Sequence, residues 1–240
     1  SGAAAPRSVE RSALRAGLGG ERRQPPPTRR SAVIAAYIHC NGAKREKIMN
    51  IIGLTGGSGT GKSVAAKQFY RLGAGWVDAD AVYHRLCAEN ISMLTELKNA
   101  FGDIVTPDGQ LNRRKLAEIV FSDSTRLRQL NSITLPYIRA ASMREIRRQA
   151  EKSIVLFDAP TLFETGMNQI CDKIIGILAE RQVRIARVMA RDNLTEQAAA
   201  ARIDAQPDNL FYQERCDFIL TNNHTIDALQ ADVIALYAKL

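Results

Sequence analysis

Short apolar runs alternate along the chain with longer segments of helical period. Ile48 to Thr55, Gly75 to Asp80, Ile154 to Asp158, Ile174 to Leu178 and Phe218 to Thr221 read as five strands bounded by polar or turn residues. Between them the apolar period changes from two to 3.6. The spacing predicts a helix from about Lys62 to Leu72. It also predicts a closing helix in which Ile226, Leu229, Val233, Leu236, Tyr237 and Leu240 share one face, with Thr225 as N-cap. Strands alternating with helices predict an α/β fold, a five-stranded parallel sheet covered on both sides. Residues 81–150, too long for a simple crossover, predict a helical insert with its own turn at Thr106-Pro107-Asp108-Gly109. A second helical pair is expected over about 181–206.

Composition refines this picture. The 240 residues are 45% hydrophobic and 24% charged, which excludes a wholly disordered chain. The net charge of +8 first suggests a nucleic-acid or anionic-membrane partner. Its distribution confines that suggestion to one end: ten basic and three acidic side chains fall in residues 1–48, leaving 49–240 close to neutral. Residues 1–48 also hold four of the eight prolines and no sustained period, so they are expected to be a disordered basic extension. Transit peptide, nucleic-acid arm, tag scar with translated leader, and a mis-assigned start are the competing readings. Codons for Arg45-Glu46 can carry an AGG-GAG ribosome-binding run just before Met49, which favours translation starting at Met49. No apolar run approaches the roughly 20 residues of a membrane span. Cys40, Cys87, Cys171 and Cys216 are too scattered for a zinc site or a disulfide framework, in keeping with thiols of a reducing cytoplasm.

The chemistry begins after the first strand. Gly56-Gly57-Ser58-Gly59-Thr60-Gly61-Lys62-Ser63 completes the pattern G-x-x-x-x-G-K-S/T between a strand and a helix. Glycines let successive amides turn onto phosphate oxygens, and the helix N-terminus adds partial positive charge. Lys62 can bridge the terminal phosphates of ATP, and Ser63 can ligate Mg²⁺. The Asn-Lys-x-Asp motif of regulatory GTPases and the Leu-Ser-Gly-Gly signature of transporter ATPases are both absent. Val77-Asp78-Ala79-Asp80 instead closes the second strand. Carboxylates at i and i+2 on a strand face one side, here the crevice at the carboxyl end of the sheet. One can order Mg²⁺ while the other takes a proton from an acceptor hydroxyl. Asp158, ending an apolar run, reads either as a metal acid or as a strand-end acid bonded to a helix N-terminus. Trp76 and Tyr83 read as packing residues, and His84 and His224, with no partner at catalytic spacing, as core or surface residues.

With these residues in place, 49–240 resembles the bacterial dephospho-CoA kinase family almost end to end. The resemblance rests on Ile52 to Gly57 with the phosphate loop, Val77 to Asp80, Leu111 to Leu116 leading to Val120-Phe121, and Ala159 to Glu164. It continues through Arg187 to Asp192, Gln206, and Asp217 to Leu220 before Asn222-Asn223. It implies a nucleoside-monophosphate-kinase-like, P-loop kinase fold. The core would be 49–80, 151–180 and 207–240, the CoA-binding helical insert 81–150 and a small lid 181–206. It implies transfer of a phosphoryl group from ATP, with Mg²⁺, to the ribose 3′-hydroxyl of dephospho-CoA. Gly57, Ser58, Gly59, Thr60, Gly61, Lys62, Ser63 and Val64 would wrap the triphosphate, and Asn222 would flank the adenine. Asp80 would be the general base and Asp78 would lie nearer Mg²⁺, two roles that are interchangeable at this level. Arg187 and Arg191, at i and i+4, would close on the transferring group from the lid, their other reading being a solvated basic face. Arg113 and Leu162 would contact the acceptor substrate.

Three departures from the family pattern stand out. Leu135 precedes Pro136 where the family usually has His, Thr161 replaces an apolar residue, and Val64 replaces Thr. They bear on substrate affinity rather than on phosphate chemistry. The expected molecule is a cytoplasmic enzyme, a monomer or weak homo-oligomer, without nucleic-acid or membrane partners. The alternatives are another P-loop kinase of a nucleotide or small molecule and, more remotely, a nucleic-acid-associated ATPase.

Overall fold

In a computed structural model of the chain, which describes residues 49–106, 109–121 and 123–240, five strands form one sheet, every neighbouring pair parallel. In chain order they are β1 (Asn50–Thr55), β2 (Gly75–Asp78), β3 (Ile154–Asp158), β4 (Lys173–Leu178) and β5 (Phe218–Thr221). Across the sheet the order is β2-β3-β1-β4-β5. The expected extension 1–48 and the centre of the turn, Pro107 and Asp108, lie outside the described residues.

The central strands bury both faces, as parallel sheets do. On one side Ile52, Leu54, Ile154, Leu156, Ile175 and Ile177 pack against α1 (Lys62–Arg71) and α9 (Ile226–Tyr237). Leu229, Val233 and Leu236 supply the buried stripe of α9, whereas Ile226, expected on that stripe, is exposed at the first turn. Thr225 caps the helix as expected, accepting from Ala228 N. On the other side Val77, Val155, Phe157 and Ile174 meet the insert. The insert comprises α2 (Ala79–Glu89), α3 (Ile91–Phe101), α4 (Arg113–Phe121) and α5 (Ser124–Arg147).

Local chemistry sets the insert's boundaries. Asn90 ends α2 and caps α3, and Asp123 caps α5 by accepting from Thr125 N and Arg126 N. Pro136 lies inside α5, where it removes one ladder hydrogen bond. Just before it, Thr134 Oγ1 donates to Leu130 O at 3.0 Å. Beyond α5, Gln149 uses its side-chain amide as a short strand: Oε1 accepts from Trp76 N and Nε2 donates to Trp76 O. That pairing covers the open edge of β2.

After β4 come α6 (Arg181–Asp192), α7 (Glu196–Asp204) and α8 (Asn209–Gln213). The first two enclose a small core of their own, Ile185, Val188, Ala199 and Ile203. Arg181 clamps them together through both oxygens of Asp204, at 2.7 and 2.8 Å. Among the described residues no helix is long and apolar enough to cross a membrane.

Candidate active site

The loop between β1 and α1 turns its carbonyls outwards, and each of four in succession has a donor. Thr60 Oγ1 donates to Gly57 O at 2.9 Å, and Arg184 Nε to Ser58 O at 2.9 Å. Arg187 Nη1 reaches Gly59 O at 3.3 Å, and Asn222 Nδ2 reaches Thr60 O at 2.8 Å. Of the loop's amides, Ser58 N donates to Gln206 Oε1 and Thr60 N to Gly57 O; those of Gly59 and Gly61 and the first amides of α1 are left for an anion. Two glycines are required by this geometry. Gly59 and Gly61 have φ of +79° and +95°, and a side chain at Gly61 would collide with the Asn222 amide.

Across the loop stands a group of carboxylates. β2 and β3 end in register, so that Asp78 lies beside Asp158. Asp158 is 4% exposed and accepts from Lys62 Nζ. Burial raises its pKa; Lys62 pulls it down, and the charges of Asp78 and Asp80 push it up again. Asp158 is therefore neither a helix-capping acid nor an isolated one, but the partner of the loop lysine.

Asp78 and Asp80 do reach the same place, by a different route from the one expected. The strand stops at Asp78, whose Oδ1 accepts from Ala81 N at 3.0 Å and caps α2. Asp80 thus lies in the first turn of that helix, so the i, i+2 strand rule does not place it. The short side-chain-to-backbone bond outweighs continued pairing. Asp80 keeps an exposed face, but the protein around its carboxyl raises its pKa. Lys62 opposes that rise, Asp78 adds to it and His84 opposes it. His84 faces Arg113, which donates to its Nδ1 from the start of α4. Because a guanidinium can only donate, Nδ1 is an acceptor here.

The remaining candidates divide. Ser63, the second residue of α1, is exposed, while Val64 packs against the core beneath the helix. Arg187 donates to Gly59 O, Asn222 O and His224 O, tying the loop to the end of β5. Arg191, four residues on, is turned away and held by both oxygens of Asp192. Asn222 is buried with its amide on the loop's outer side. Leu162 corrects an expectation: it is fully buried in the core under Gly53, which leaves it no surface for a substrate. Thr161, beside it, is exposed and accepts from Thr165 Oγ1.

Three further residues join the site that the sequence reading gave no firm role. For Asp158 the signal in the sequence is a lone acid closing an apolar strand, which the sheet sets in register with Asp78. Arg184 and Gln206 meet at Ser58, from 126 and 148 residues away.

Among the described residues no group of three or more His, Cys, Asp or Glu forms a metal cage. The donors present suit Mg²⁺ in its usual manner, held by one or two protein oxygens together with phosphates and water. Ser63 offers an exposed hydroxyl, and Asp78 keeps its second oxygen outside the cap bond.

A phosphate loop on a parallel sheet, an acid paired with its lysine, a helical insert and a small helical pair together define a P-loop kinase. Comparison with known proteins makes the class specific. Residues 50–228 match the family model for dephospho-CoA kinase. The chain is 36% identical over 191 residues to the dephospho-CoA kinase of Listeria innocua, spanning 78% of this chain and 96% of that one. It is 37% identical over 196 residues to that of Moorella thermoacetica, spanning 80% and 92%. Among solved structures, TT1252 from Thermus thermophilus superposes with a TM-score of 0.70 at 34% identity, over 80% of this chain and 98% of that one. Dephospho-CoA kinase from Campylobacter jejuni superposes with a TM-score of 0.60 at 25% identity, over 80% and 97%. The chain belongs to the dephospho-CoA kinase family.

Proposed function

We propose that the protein transfers the γ-phosphoryl group of MgATP in line to the ribose 3′-hydroxyl of dephospho-CoA, giving CoA and ADP. The observation that carries the reading is the convergence of Lys62, Asp78, Asp80 and Asp158 beside a tethered phosphate loop, in a chain of this family. Asp80 takes the proton of the acceptor hydroxyl. Its raised pKa supports that role, because a base nearer neutrality accepts a proton more readily. Ser63 and Asp78 would hold Mg²⁺, which neutralises charge on the phosphates when bound. Lys62 exchanges Asp158 for the nucleotide, and Asp158 remains to order the site's water.

Gly57 to Val64 wrap the triphosphate, and Asn222 keeps that loop in shape beside the adenine side. Arg187 fixes the loop from behind. Arg191 exchanges Asp192 for the transferring group as residues 181–206 close, which keeps water from consuming ATP. Arg113, which donates to His84 Nδ1 from the start of α4, meets the acceptor's phosphate in this reading. Residues 81–150 act as the CoA-binding insert. The enzyme works in the cytoplasm as a monomer or weak homo-oligomer, and Cys87, Cys171 and Cys216, none of them joined in a disulfide, suit a reducing compartment.

A coupled ADP-release assay with dephospho-CoA, adenosine, AMP and shikimate as acceptors tests the assignment. Turnover is expected with dephospho-CoA at a kcat/KM at least about ten-fold above the others, a margin equal to one good contact. Turnover with another acceptor and none with dephospho-CoA would overturn it.

A further inference from the structure

The arginine packed most tightly on the phosphate loop has no part in the reaction as proposed. Arg184, in α6, is only 4% exposed, and burial lowers the pKa of its guanidinium. Among the described residues no carboxylate pairs with it; Asp204, whose charge it feels, is engaged by Arg181. A buried cation without a counter-ion, against a loop built for anions, lacks its natural partner.

A neutral oxygen stands in that partner's place. Arg184 Nη2 donates to Gln206 Oε1 at 2.8 Å, and the loop's own Ser58 N–H donates to the same oxygen at 2.8 Å. Gln206 Nε2 completes the contact by donating to Ser58 Oγ at 3.1 Å. One loop amide and one guanidinium N–H thus converge on a single acceptor, the donor set that elsewhere holds a phosphate oxygen. Charged acceptors bind such donors more strongly than an amide does. The arginine's other bond, Nε to Ser58 O, does not involve Gln206 and survives an exchange.

We propose that Gln206 Oε1 is an internal stand-in for a phosphate oxygen: nucleotide displaces it, Arg184 becomes a counter-ion of the polyphosphate, and the segment after α7 is released from the loop. Arg184 and Gln206 are then an affinity-setting pair that links the α6–α7 unit to the state of the nucleotide site. The proposal rests on the reading of the loop as the ATP site.

Titration calorimetry with ATP, and separately with tripolyphosphate, tests it on the full chain and on Gln206→Ala, Gln206→Glu, Arg184→Gln and the double variant Arg184→Gln/Gln206→Ala. Removing the stand-in should tighten both ligands by about three-fold or more. Gln206→Glu, nearly isosteric, should weaken both by about ten-fold, because an anion must then be displaced from Arg184. Arg184→Gln should also weaken both by about ten-fold, and in that background Gln206→Ala should bring no gain. Melting temperatures check folding, and the Gln206→Glu result stands should Arg184→Gln fail to fold. If Gln206→Ala weakens ATP while Gln206→Glu binds like wild type, the residue is a brace and the exchange is overturned. Unchanged affinity in Arg184→Gln overturns it as well. A wild-type chain that binds neither ligand overturns the reading of the loop and the exchange together.

Discussion

Replacing Leu162 by Ala separates packing from substrate contact in a position where sequence and structure disagree. The side chain is fully buried, and a Cβ placed on Gly53 would lie 2.9 Å from its Cδ2, so it lies directly on the backbone of β1. At Gly53 that strand is in register with Phe157 on one side and Ile174 on the other, and cannot sink into a hole. The cavity therefore stays largely open, and the cost should be about 3 kcal/mol. For a folded body of this size that is a fall of roughly 6–12 °C in melting temperature. Gly53→Ala alone should cost about 1–3 kcal/mol by crowding Leu162 and the Cys171 thiol, which is also 2.9 Å away. The two changes should compensate, with the double variant more stable than additivity by about 1 kcal/mol. Thermal unfolding followed by circular dichroism gives these differences. KM for dephospho-CoA, measured well below the transition, should change less than about two-fold, as expected of a residue that makes no substrate contact. An unaltered melting temperature with KM raised ten-fold would refute the packing assignment and restore Leu162 to the substrate site.

Other consequences are more direct. Asp80→Ala should lower kcat by at least about 100-fold, and near-normal turnover would move the base to Asp78 or to neither. Because Asp80 must be ionised to accept a proton and burial raises its pKa, kcat/KM of the wild type should fall as pH drops, and at a higher pH than an unperturbed aspartate would give. A pH-rate profile flat down to pH 4 would contradict it. Asn222→Ala leaves the Thr60 carbonyl without its donor and should cost about 1–3 kcal/mol of stability, with a higher KM for ATP, measured by unfolding and steady-state kinetics. Arg191→Ala should lower kcat by about ten-fold or more with little change in KM for ATP if the residue acts only on the transferring group. An equal loss in ATP binding would place it in the ground-state site.

The parts of this molecule that the sequence made legible are those set by near neighbours. Apolar runs fix the five strands, and the loop from Gly56 to Ser63 declares its chemistry because its residues are consecutive. The closing helix was readable from Leu229, Val233 and Leu236, although Ile226 matched the period and still faces solvent. The end of β2 was misplaced by two residues because a cap bond from Asp78 to Ala81 N turns strand into helix, and an Asp-x-Asp pattern suits both. Contacts over long separations were hidden. Lys62 meets Asp158 across 96 residues, and Ser58 meets Gln206 across 148. No local period or spacing encodes such a meeting; it follows from the order of strands in the sheet and from how α6 and α7 fold back on the loop. Arg184 and Arg191 are alike in a basic helix until packing buries one and leaves the other on Asp192.

The most direct test of the central claim is the identity of the phosphorylated product. Incubation of the chain with MgATP and dephospho-CoA, followed by mass spectrometry and by phosphorus–proton NMR correlation at the ribose, should give CoA carrying the new phosphate on the 3′-oxygen, with one ADP per CoA. ADP formed without CoA, or a phosphate on any other oxygen, would contradict the account.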